Sequence, residues 1–228
     1  LLEIGSLCND ARLVTDPDGS AGIIGDPTEA ALLVAARKAG LDPDALAAGR
    51  PRIADLPFDS ARKRMTTFHG GFPDAPVLAL VKGAPDIIVS RCVAIASDGG
   101  ALPLDDESRE ALLRVNSAMA SSALRVLAFA FRTFDALPKP DPDSVESGLT
   151  FAGLMGMIDP ARPEARDAIS TCTESGIRVV MITGDHRDTA VAIATDLGLM
   201  PPGAGVLTGS GLDALSDGEL RVRSEDTR

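Results

Sequence analysis

Aromatic and basic residues are scarce in this sequence. It has no tryptophan and no tyrosine, so its core must be built from the aliphatic side chains that dominate an apolar fraction of 45%. Lys and Arg number 22 against 33 Asp and Glu, which gives a formal net charge of -11. Proteins bind nucleic acids chiefly by neutralising phosphates, so this balance argues against a nucleic-acid partner. A single nucleotide is not excluded, because it needs only a few local cations.

Long apolar runs, a signal peptide and clustered cysteines are missing as well. No stretch reaches the ~18 apolar residues that a bilayer-spanning helix needs, and the first ten residues lack a basic start and a cleavage site. Cys8, Cys92 and Cys172 lie far apart in the sequence, and there are only two histidines. We therefore expect reduced thiols, no zinc cluster and no metal site made by this chain.

The common nucleotide-binding and hydrolase motifs are absent too. Residues 203–211 are rich in glycine but contain no lysine, so they do not form a Walker A loop. There is no GxSxG, no HExxH and no GxGxxG after a strand. Any nucleotide site must therefore be built in another way.

The first part of the chain predicts an α+β domain, an antiparallel sheet with flanking helices. Asp26 and Pro27 start a helix over residues 26–40, Glu29 predicts a capping-box-like pair, and Gly40 ends the helix. A second helix is predicted over 105–123. Strands are predicted over residues 52–58, 65–69, 77–81 and 124–134. Because these strands are grouped and do not alternate strictly with helices, the pattern indicates α+β.

After a proline-rich acidic linker at 138–147 the pattern changes. Strands over 150–158 and 177–183 alternate with helices over 162–175 and 187–197, which predicts a parallel α/β unit. A further helix is predicted over 213–223. We therefore divide the chain into a domain at 1–148 and a partial domain at 149–228. The end inside an unfinished α/β unit predicts a piece of a longer chain.

Four segments carry residues suited to binding a ligand, and each also has a purely structural interpretation. The segment at 25–29 opens a helix and is by itself most simply a cap. Phe58 precedes the cations Arg62, Lys63 and Arg64, an arrangement that suits a stacked base near phosphates or a solvated turn. Lys82 at a strand end fits a nucleotide contact or a surface lysine, and Gly83 after it lets a backbone or a ligand come close. The segment at 181–185 follows a predicted parallel strand, where ligands bind and backbone N–H groups favour anions.

In this order the segments resemble landmarks of the P-type ATPases, particularly the calcium-pump-like cation transporters. The matching stretches are Leu-Cys-Asn-Asp at 7–10, Gly-Asp-Pro-Thr-Glu at 25–29, Pro-Phe-Asp-Ser at 57–60, Arg-Lys-Arg-Met at 62–65, Lys-Gly-Ala-Pro-Asp at 82–86, Leu-Arg-Val-Leu-Ala at 124–128, Asp-Pro-Ala-Arg at 159–162 and Met-Ile-Thr-Gly-Asp at 181–185. Each motif alone is weak, but the ordered set is specific and spans nearly the whole chain.

The resemblance implies a nucleotide-binding (N) domain at 1–148 and part of a phosphorylation (P) domain at 149–228. The second would have a haloacid-dehalogenase-like, Rossmann-like fold. The parent protein would couple ATP hydrolysis, through an aspartyl-phosphate, to cation transport across a membrane. The chain would lie on the cytoplasmic side, with ATP and Mg²⁺ as ligands. Its partners would be the rest of the P domain, the actuator domain and the transmembrane helices of the same polypeptide.

The resemblance also assigns roles to individual residues. Phe58 would stack on adenine, with Glu29 near its amino group, and Arg125 would reach toward the phosphates. The implied nucleotide-binding set is Glu29, Phe58, Arg62, Lys63, Met65, Lys82, Gly83, Arg125, Thr183, Gly184 and Asp185, with Asp159 and Arg162 at a hinge. Many members have arginine where this chain has Ser60, so a phosphate contact is either missing or supplied by Arg62 or Arg64.

The family's phosphorylated aspartate and its Mg²⁺-holding segment do not occur in the sequence. We therefore expect the chain to bind ATP without hydrolysing it. One rival interpretation is a haloacid-dehalogenase-like phosphatase with a large cap, which requires an Asp-x-Asp nucleophile and finds it only at 16–18 and 141–143. Another is a non-catalytic interaction module, and a metal-exporting P-type relative is a third alternative.

Overall fold

The structure is a computed structural model that describes residues 1–15, 21–73, 75–122, 124–139, 141–158, 162–183, 187–201 and 203–227. The contacts between Cα atoms divide the chain into two compact units. The first unit comprises Leu1–Asn116 and Val126–Met157, and the second comprises Ser117–Arg125 and Ile158–Arg228.

The first unit is organised around a large sheet. Its described strands are β1 (Arg12–Thr15), β2 (Ala21–Ile24), β3 (Arg52–Asp59), β4 (Arg64–His69), β5 (Val77–Gly83), β6 (Cys92–Ser97), β7 (Gly100–Pro103), β8 (Arg125–Phe134) and β9 (Leu149–Met157). β1 and β2 form a separate antiparallel pair, and the other seven follow the order β3-β4-β5-β8-β9-β6-β7. The pairs β3–β4, β4–β5, β5–β8 and β6–β7 are antiparallel, whereas β6–β9 is parallel. The predicted sheet with flanking helices is thus confirmed, with one parallel pair in it.

Helices cover both faces of this sheet. They are α1 (Leu2–Leu7), α2 (Pro27–Lys38), α3 (Pro43–Gly49), α4 (Pro85–Arg91), α5 (Asp106–Ser121) and α6 (Pro142–Val145). Leu32 of α2 shares a buried cluster with Met65 and Phe129, while α4 packs in another cluster with Val81 and Ala128. Because Ala128 and Phe129 are consecutive in a strand, these clusters lie on opposite faces.

The start of α2 shows how local sequence fixes an element. The Asp26 carboxylate accepts hydrogen bonds from the backbone N–H groups of Thr28 (2.7 Å) and Glu29 (3.3 Å), and Pro27 occupies the first helical position. The predicted cap is therefore confirmed. The prediction of a capping-box pair is wrong, because the Glu29 carboxylate accepts instead from the backbone N–H of Asp10, 2.9 Å away, and from Lys82.

The described part of the segment at 138–147, which excludes residue 140, contains regular structure where a linker was predicted. It contains the one-turn helix α6, and Val145 and Glu146 at its end are fully buried. Proline and acidic residues predicted a solvated connection, but Val145 packs in a cluster with Phe68 and Ala79 of the sheet.

β9 follows directly and pairs with β6 in the first unit's sheet. The division between the units therefore comes after Met157, whereas the sequence placed its domain boundary at residue 148. The physical reason for the difference is that the backbone groups of this strand find their partners in the preceding sheet.

After Met157, the described regular structure of the second unit consists of short helices. They are α7 (Pro163–Glu174), α8 (Arg187–Asp196), α9 (Gly209–Asp213) and α10 (Asp217–Asp226). The predicted strand at 177–183 is wrong, since this segment has no regular structure and Ile182 is 94% exposed. The predicted helix over 213–223 is instead two helices, the second beginning with a capping box between Ser216 and Glu219. Across the described ranges, no helix is both long and apolar enough to cross a membrane.

Candidate functional site

Several predicted site residues meet at one end of the large sheet, where β3, β4 and β5 end or begin. The antiparallel register places Met65 opposite Lys82 and Arg64 opposite Gly83. On the other side of β4, Asp59 is opposite Arg64. The β3–β4 turn therefore lies directly beside the end of β5. We call this region, residues 57–65 with 82–84 and the start of α2, the sheet end.

Gly83 is required by the close approach of two strands at the sheet end. A Cβ atom at this position would lie 2.5 Å from the carbonyl oxygen of Lys63 and 2.7 Å from the Cβ of Arg64. That carbonyl also accepts a hydrogen bond from the backbone N–H of Ala84, 3.0 Å away. The sequence predicted that Gly83 admits a backbone or a ligand, and the neighbour in the structure is backbone.

Lys82 and Glu29 form an ion pair at the sheet end. Lys82 is 6% exposed and the Glu29 side chain 16%. Lys82 is carried by β5 and Glu29 by the first turn of α2, so helix and sheet are joined through opposite charges. The second carboxylate oxygen of Glu29 accepts from the Asp10 backbone, which leaves this carboxylate oriented by two donors.

Phe58 and Met65 differ sharply in exposure. Phe58 is 62% exposed at the end of β3, which is unusual for a ring of this size and leaves it available for stacking. Met65 is fully buried in the cluster that includes Cys8 and Leu32. Burial raises the pKa of the Cys8 thiol despite the nearby Lys82 charge, so this thiol stays protonated at neutral pH.

Lys63 occupies a special backbone position. Its φ of +53° makes it the one non-glycine residue with a positive φ among the residues that the structure describes. Its N–H donates to the carbonyl oxygen of Asp59 at 2.6 Å, while its side chain is exposed. The left-handed conformation is unfavourable for a side chain with a Cβ atom. The turn therefore projects a lysine from a position that glycine would occupy more easily.

Arg62 and Arg64 are engaged by a residue that the sequence did not single out. Their guanidinium groups bind the carboxylate of Glu146 at 2.5 Å and 2.6 Å, and the Thr66 hydroxyl donates to it at 2.8 Å. The sequence offered no signal for Glu146, because it lies at least 80 residues from these partners in the chain. A phosphate role for Arg62 or Arg64 would have to compete with this carboxylate.

The remaining predicted residues lie elsewhere in the chain. Arg125 begins β8 and is exposed, Thr183 is exposed in the irregular segment of the second unit, and Arg162 is exposed just before α7. Asp159, Gly184 and Asp185 lie outside the described residues. The structure therefore groups seven of the predicted residues at the sheet end, namely Glu29, Phe58, Arg62, Lys63, Met65, Lys82 and Gly83.

The carboxylate pairs on which the rival phosphatase interpretation depends are not placed for that chemistry. Asp141 and Asp143 are exposed at the start of the short α6, and no strand end leads into them. The pair at 16–18 lies outside the described residues. Among the residues that are described, no group of three or more His, Cys, Asp or Glu side chains is placed to hold a metal ion.

Comparison of the sequence with known families identifies the family of the chain. The sequence model of the family described as "P-type ATPase, cytoplasmic domain N" matches residues 1–164. The chain belongs to this family. The resemblance to calcium-pump-like P-type ATPases is thereby confirmed. The matched range of this N domain holds the whole sheet end.

Individual relatives support the same conclusion along the whole chain. The "Calcium-transporting ATPase" of Bacillus subtilis is 42% identical over 226 residues, which cover 99% of this chain and 25% of that protein. "Cation-transporting ATPase pma1" of Synechocystis is 41% identical over 225 residues, covering 98% and 24%. "Probable cation-transporting ATPase F" of Mycobacterium tuberculosis is 42% identical over 218 residues, covering 93% and 23%. The chain thus spans about a quarter of the length of the curated relatives it matches.

The N-domain match divides the predicted site residues into two groups. Thr183, Gly184 and Asp185 follow the matched range, and all the other predicted residues fall within it. The identity with the Bacillus subtilis protein nevertheless extends over 99% of the chain. The second group therefore belongs to a region that the relatives share but the N-domain model does not cover.

Proposed function

We propose that the first unit binds ATP at the sheet end, as the nucleotide-binding part of a cation-transporting P-type ATPase. The observation that carries the proposal is the grouping of an exposed ring, two lysines and an oriented carboxylate on β3, the β3–β4 turn, β5 and α2. These are Phe58, Lys63 and Lys82, and Glu29. Together they offer a stacking surface, cations for phosphates and an acceptor for an amino group.

The chemistry of this group suits adenine and phosphates. Stacking on Phe58 contributes about 1 kcal/mol, and the lysines supply local attraction in a chain whose net charge is -11. The Glu29 carboxylate, already oriented by two donors, can accept a hydrogen bond from the adenine amino group. One stacked base and a few charges give micromolar to millimolar affinity.

The proposal extends to the longer protein. In it, ATP hydrolysis through an aspartyl-phosphate would drive cation transport, with this chain on the cytoplasmic side of the membrane. The second unit would be part of a haloacid-dehalogenase-like P domain, with Asp159 and Arg162 at the hinge. The phosphates would contact Arg125, Thr183, Gly184 and Asp185. Mg²⁺ would be bound together with the phosphates. The actuator domain and transmembrane helices would complete the protein, and this chain alone would bind ATP without hydrolysing it.

Isothermal titration of ATP into the chain, with and without Mg²⁺, tests the proposal. We expect binding in the micromolar to millimolar range, which Phe58→Ala weakens roughly fivefold because stacking is lost. Lys82→Gln should also weaken it, because the pocket loses a cation. Phe58→Ala removes only an exposed ring, whereas Lys82→Gln also removes the ion pair with Glu29.

Matched controls come from the same elements. Ile53→Ala removes another exposed apolar side chain from β3, and Lys38→Ala removes a lysine from the far end of α2; neither should change the affinity. Folded protein that takes up no ATP at millimolar concentration would overturn the proposal in favour of an interaction module. Steady phosphate release by highly pure protein would contradict the predicted lack of hydrolysis.

A further inference from the structure

Glu146 is a fully buried carboxylate at the centre of a network that reaches the sheet end. Its oxygens accept from Arg62 Nη1 (2.5 Å), Arg64 Nε (2.6 Å) and Thr66 Oγ1 (2.8 Å). Its backbone carbonyl accepts from Arg91 Nη1 at 3.2 Å. A carboxylate without solvent contact is stable only when charged partners replace water. Here two guanidinium groups and a hydroxyl do so.

The network continues from Arg62 to the strand that carries Phe58. Arg62 Nη2 donates to the carbonyl oxygen of Pro57 at 2.6 Å, so one guanidinium joins Glu146 to the residue before Phe58. Arg64 Nη1 donates to the carbonyl of Arg62 at 2.9 Å, which holds the end of the same turn. Glu146 thus fixes the turn between Phe58 and Met65 from outside the turn.

The turn is also closed from within. The Asp59 carboxylate accepts from the backbone N–H groups of Ala61 (3.0 Å) and Arg62 (2.7 Å). Lys63 then takes its positive φ. Such a conformation persists only where the surrounding contacts over-determine it. The Arg62 and Arg64 links to Glu146 tie this turn to the body of the first unit through side chains, beside the backbone hydrogen bond from Ala84 N–H to the Lys63 carbonyl.

We propose that Glu146 is a positioning residue for nucleotide binding: through Arg62 it sets where Phe58 and Lys63 stand. The proposal rests on ATP binding at the sheet end and adds a residue that does not itself touch the ligand. It also gives Arg62 a different role from a phosphate contact, because this guanidinium already serves Glu146 and the Pro57 carbonyl. Arg62 then acts on the ligand through the position of the turn.

The test replaces Glu146 by glutamine, which keeps the shape of the side chain and removes its charge. We expect Glu146→Gln to raise the Kd for ATP about tenfold in protein that circular dichroism shows to be folded. The second readout needs no ligand. Hydrogen exchange at the amides of Ala61, Arg62 and Lys63 should accelerate, because the turn loses its external tie.

Arg132→Met is the matched control. Arg132 Nη1 donates to the carbonyl oxygens of Ser144 (2.8 Å) and Ser147 (2.7 Å), so this change loosens the segment on both sides of Glu146 without touching the turn. It should lower the melting temperature but leave the Kd within twofold and the turn amides protected. Equal effects of the two variants on affinity would reduce Glu146 to a structural residue and overturn the proposal.

The two readouts separate the possible failures. If the wild-type chain binds no ATP, the proposed function fails, and a role in nucleotide binding for Glu146 fails with it. If the wild type binds but Glu146→Gln binds equally well, only the positioning role is overturned. Unchanged exchange at the turn amides of the folded variant would overturn it independently of any ligand.

Discussion

His69 is a nearly inaccessible titratable side chain at the end of β4 that is remote in register from the sheet end. Its Nδ1 lies 2.9 Å from the carbonyl oxygen of Arg50 and therefore carries a proton, while Nε2 accepts from the Thr67 hydroxyl at 2.9 Å. Burial lowers the pKa of His69, and the charge of Arg52 acts in the same direction, against the hydrogen bond to the Arg50 carbonyl. The folded protein thus prefers the neutral ring.

This preference predicts a loss of stability on acidification. Below the ordinary histidine pKa of 6.5 the His69 imidazole binds a proton in the unfolded chain but stays neutral in the folded chain. The free energy of unfolding should therefore fall with pH from about 6.5 downward, by at most about 1.4 kcal/mol per pH unit for one proton, until the lowered pKa is reached. Urea unfolding at pH 7, 6 and 5 measures this slope.

The variants His69→Gln and His186→Gln assign the slope to one ring. His69→Gln should be less stable at pH 7 but should lose the part of the slope between pH 7 and 5 that this ring contributes. His186 is the only other histidine in the chain, so its variant shows what a general loss of histidine does. A slope that survives in His69→Gln would assign the pH dependence to other groups.

At single positions, the sequence predicted best what depends on near neighbours. Asp26 was predicted as a cap because its partners are two and three residues away, and Gly83 as a close-approach position because it follows a strand. The alternative partners of Glu29 and the whole role of Glu146 could not be predicted. Both depend on ion pairs between distant parts of the chain, which local spacing does not encode.

At the scale of elements, α2 and α3 begin in the same way but differ in what their first turns contribute to the proposed site. Asp26 caps α2, and Asp42 caps α3 by accepting from Asp44 (3.0 Å) and Ala45 (3.4 Å), each followed by proline. Only α2 presents a predicted site residue, Glu29, in its first turn. The two helices are therefore a natural matched pair.

We predict that Asp26→Ala and Asp42→Ala each lower the free energy of unfolding by about 1 kcal/mol, because each helix loses its N-cap. Asp26→Ala should in addition weaken ATP binding, since fraying of the first turn of α2 displaces Glu29 from Lys82. Urea unfolding and isothermal titration on both variants measure these effects. Equal ATP affinities in the two variants would show that the start of α2 does not contribute to binding.

The elements also show where prediction from sequence fails. The helices predicted over 26–40, 105–123, 162–175 and 187–197 were recovered to within a few residues, as were the strands predicted over 52–58, 65–69, 77–81, 124–134 and 150–158. The strand predicted at 177–183 was not, although it is apolar. A parallel strand forms only if neighbouring strands accept its hydrogen bonds, and the described residues after Met157 contain no strand.

At the scale of the whole chain, the two units differ in how much they bury. The first contains four buried apolar clusters, two of which lie on opposite faces of its large sheet. In the described residues of the second unit only Ala194 and Leu199 are buried, and apolar side chains such as Ile177 and Ile182 are exposed. Because apolar burial is the main favourable term in folding, the units should differ in stability.

Native-state hydrogen exchange on the intact chain should reveal this difference. We expect the amides of β4, β5 and β8 to exchange slowest, because they become accessible only when the whole first unit unfolds. The amides of α7 and α8 should exchange at least about a hundredfold faster. Low concentrations of urea should accelerate α7 and α8 before the sheet, and ATP should slow exchange only at the sheet end. Uniform protection across both units would mean that they unfold as one cooperative body, and the second unit would then have to gain its stability from something other than its own buried side chains.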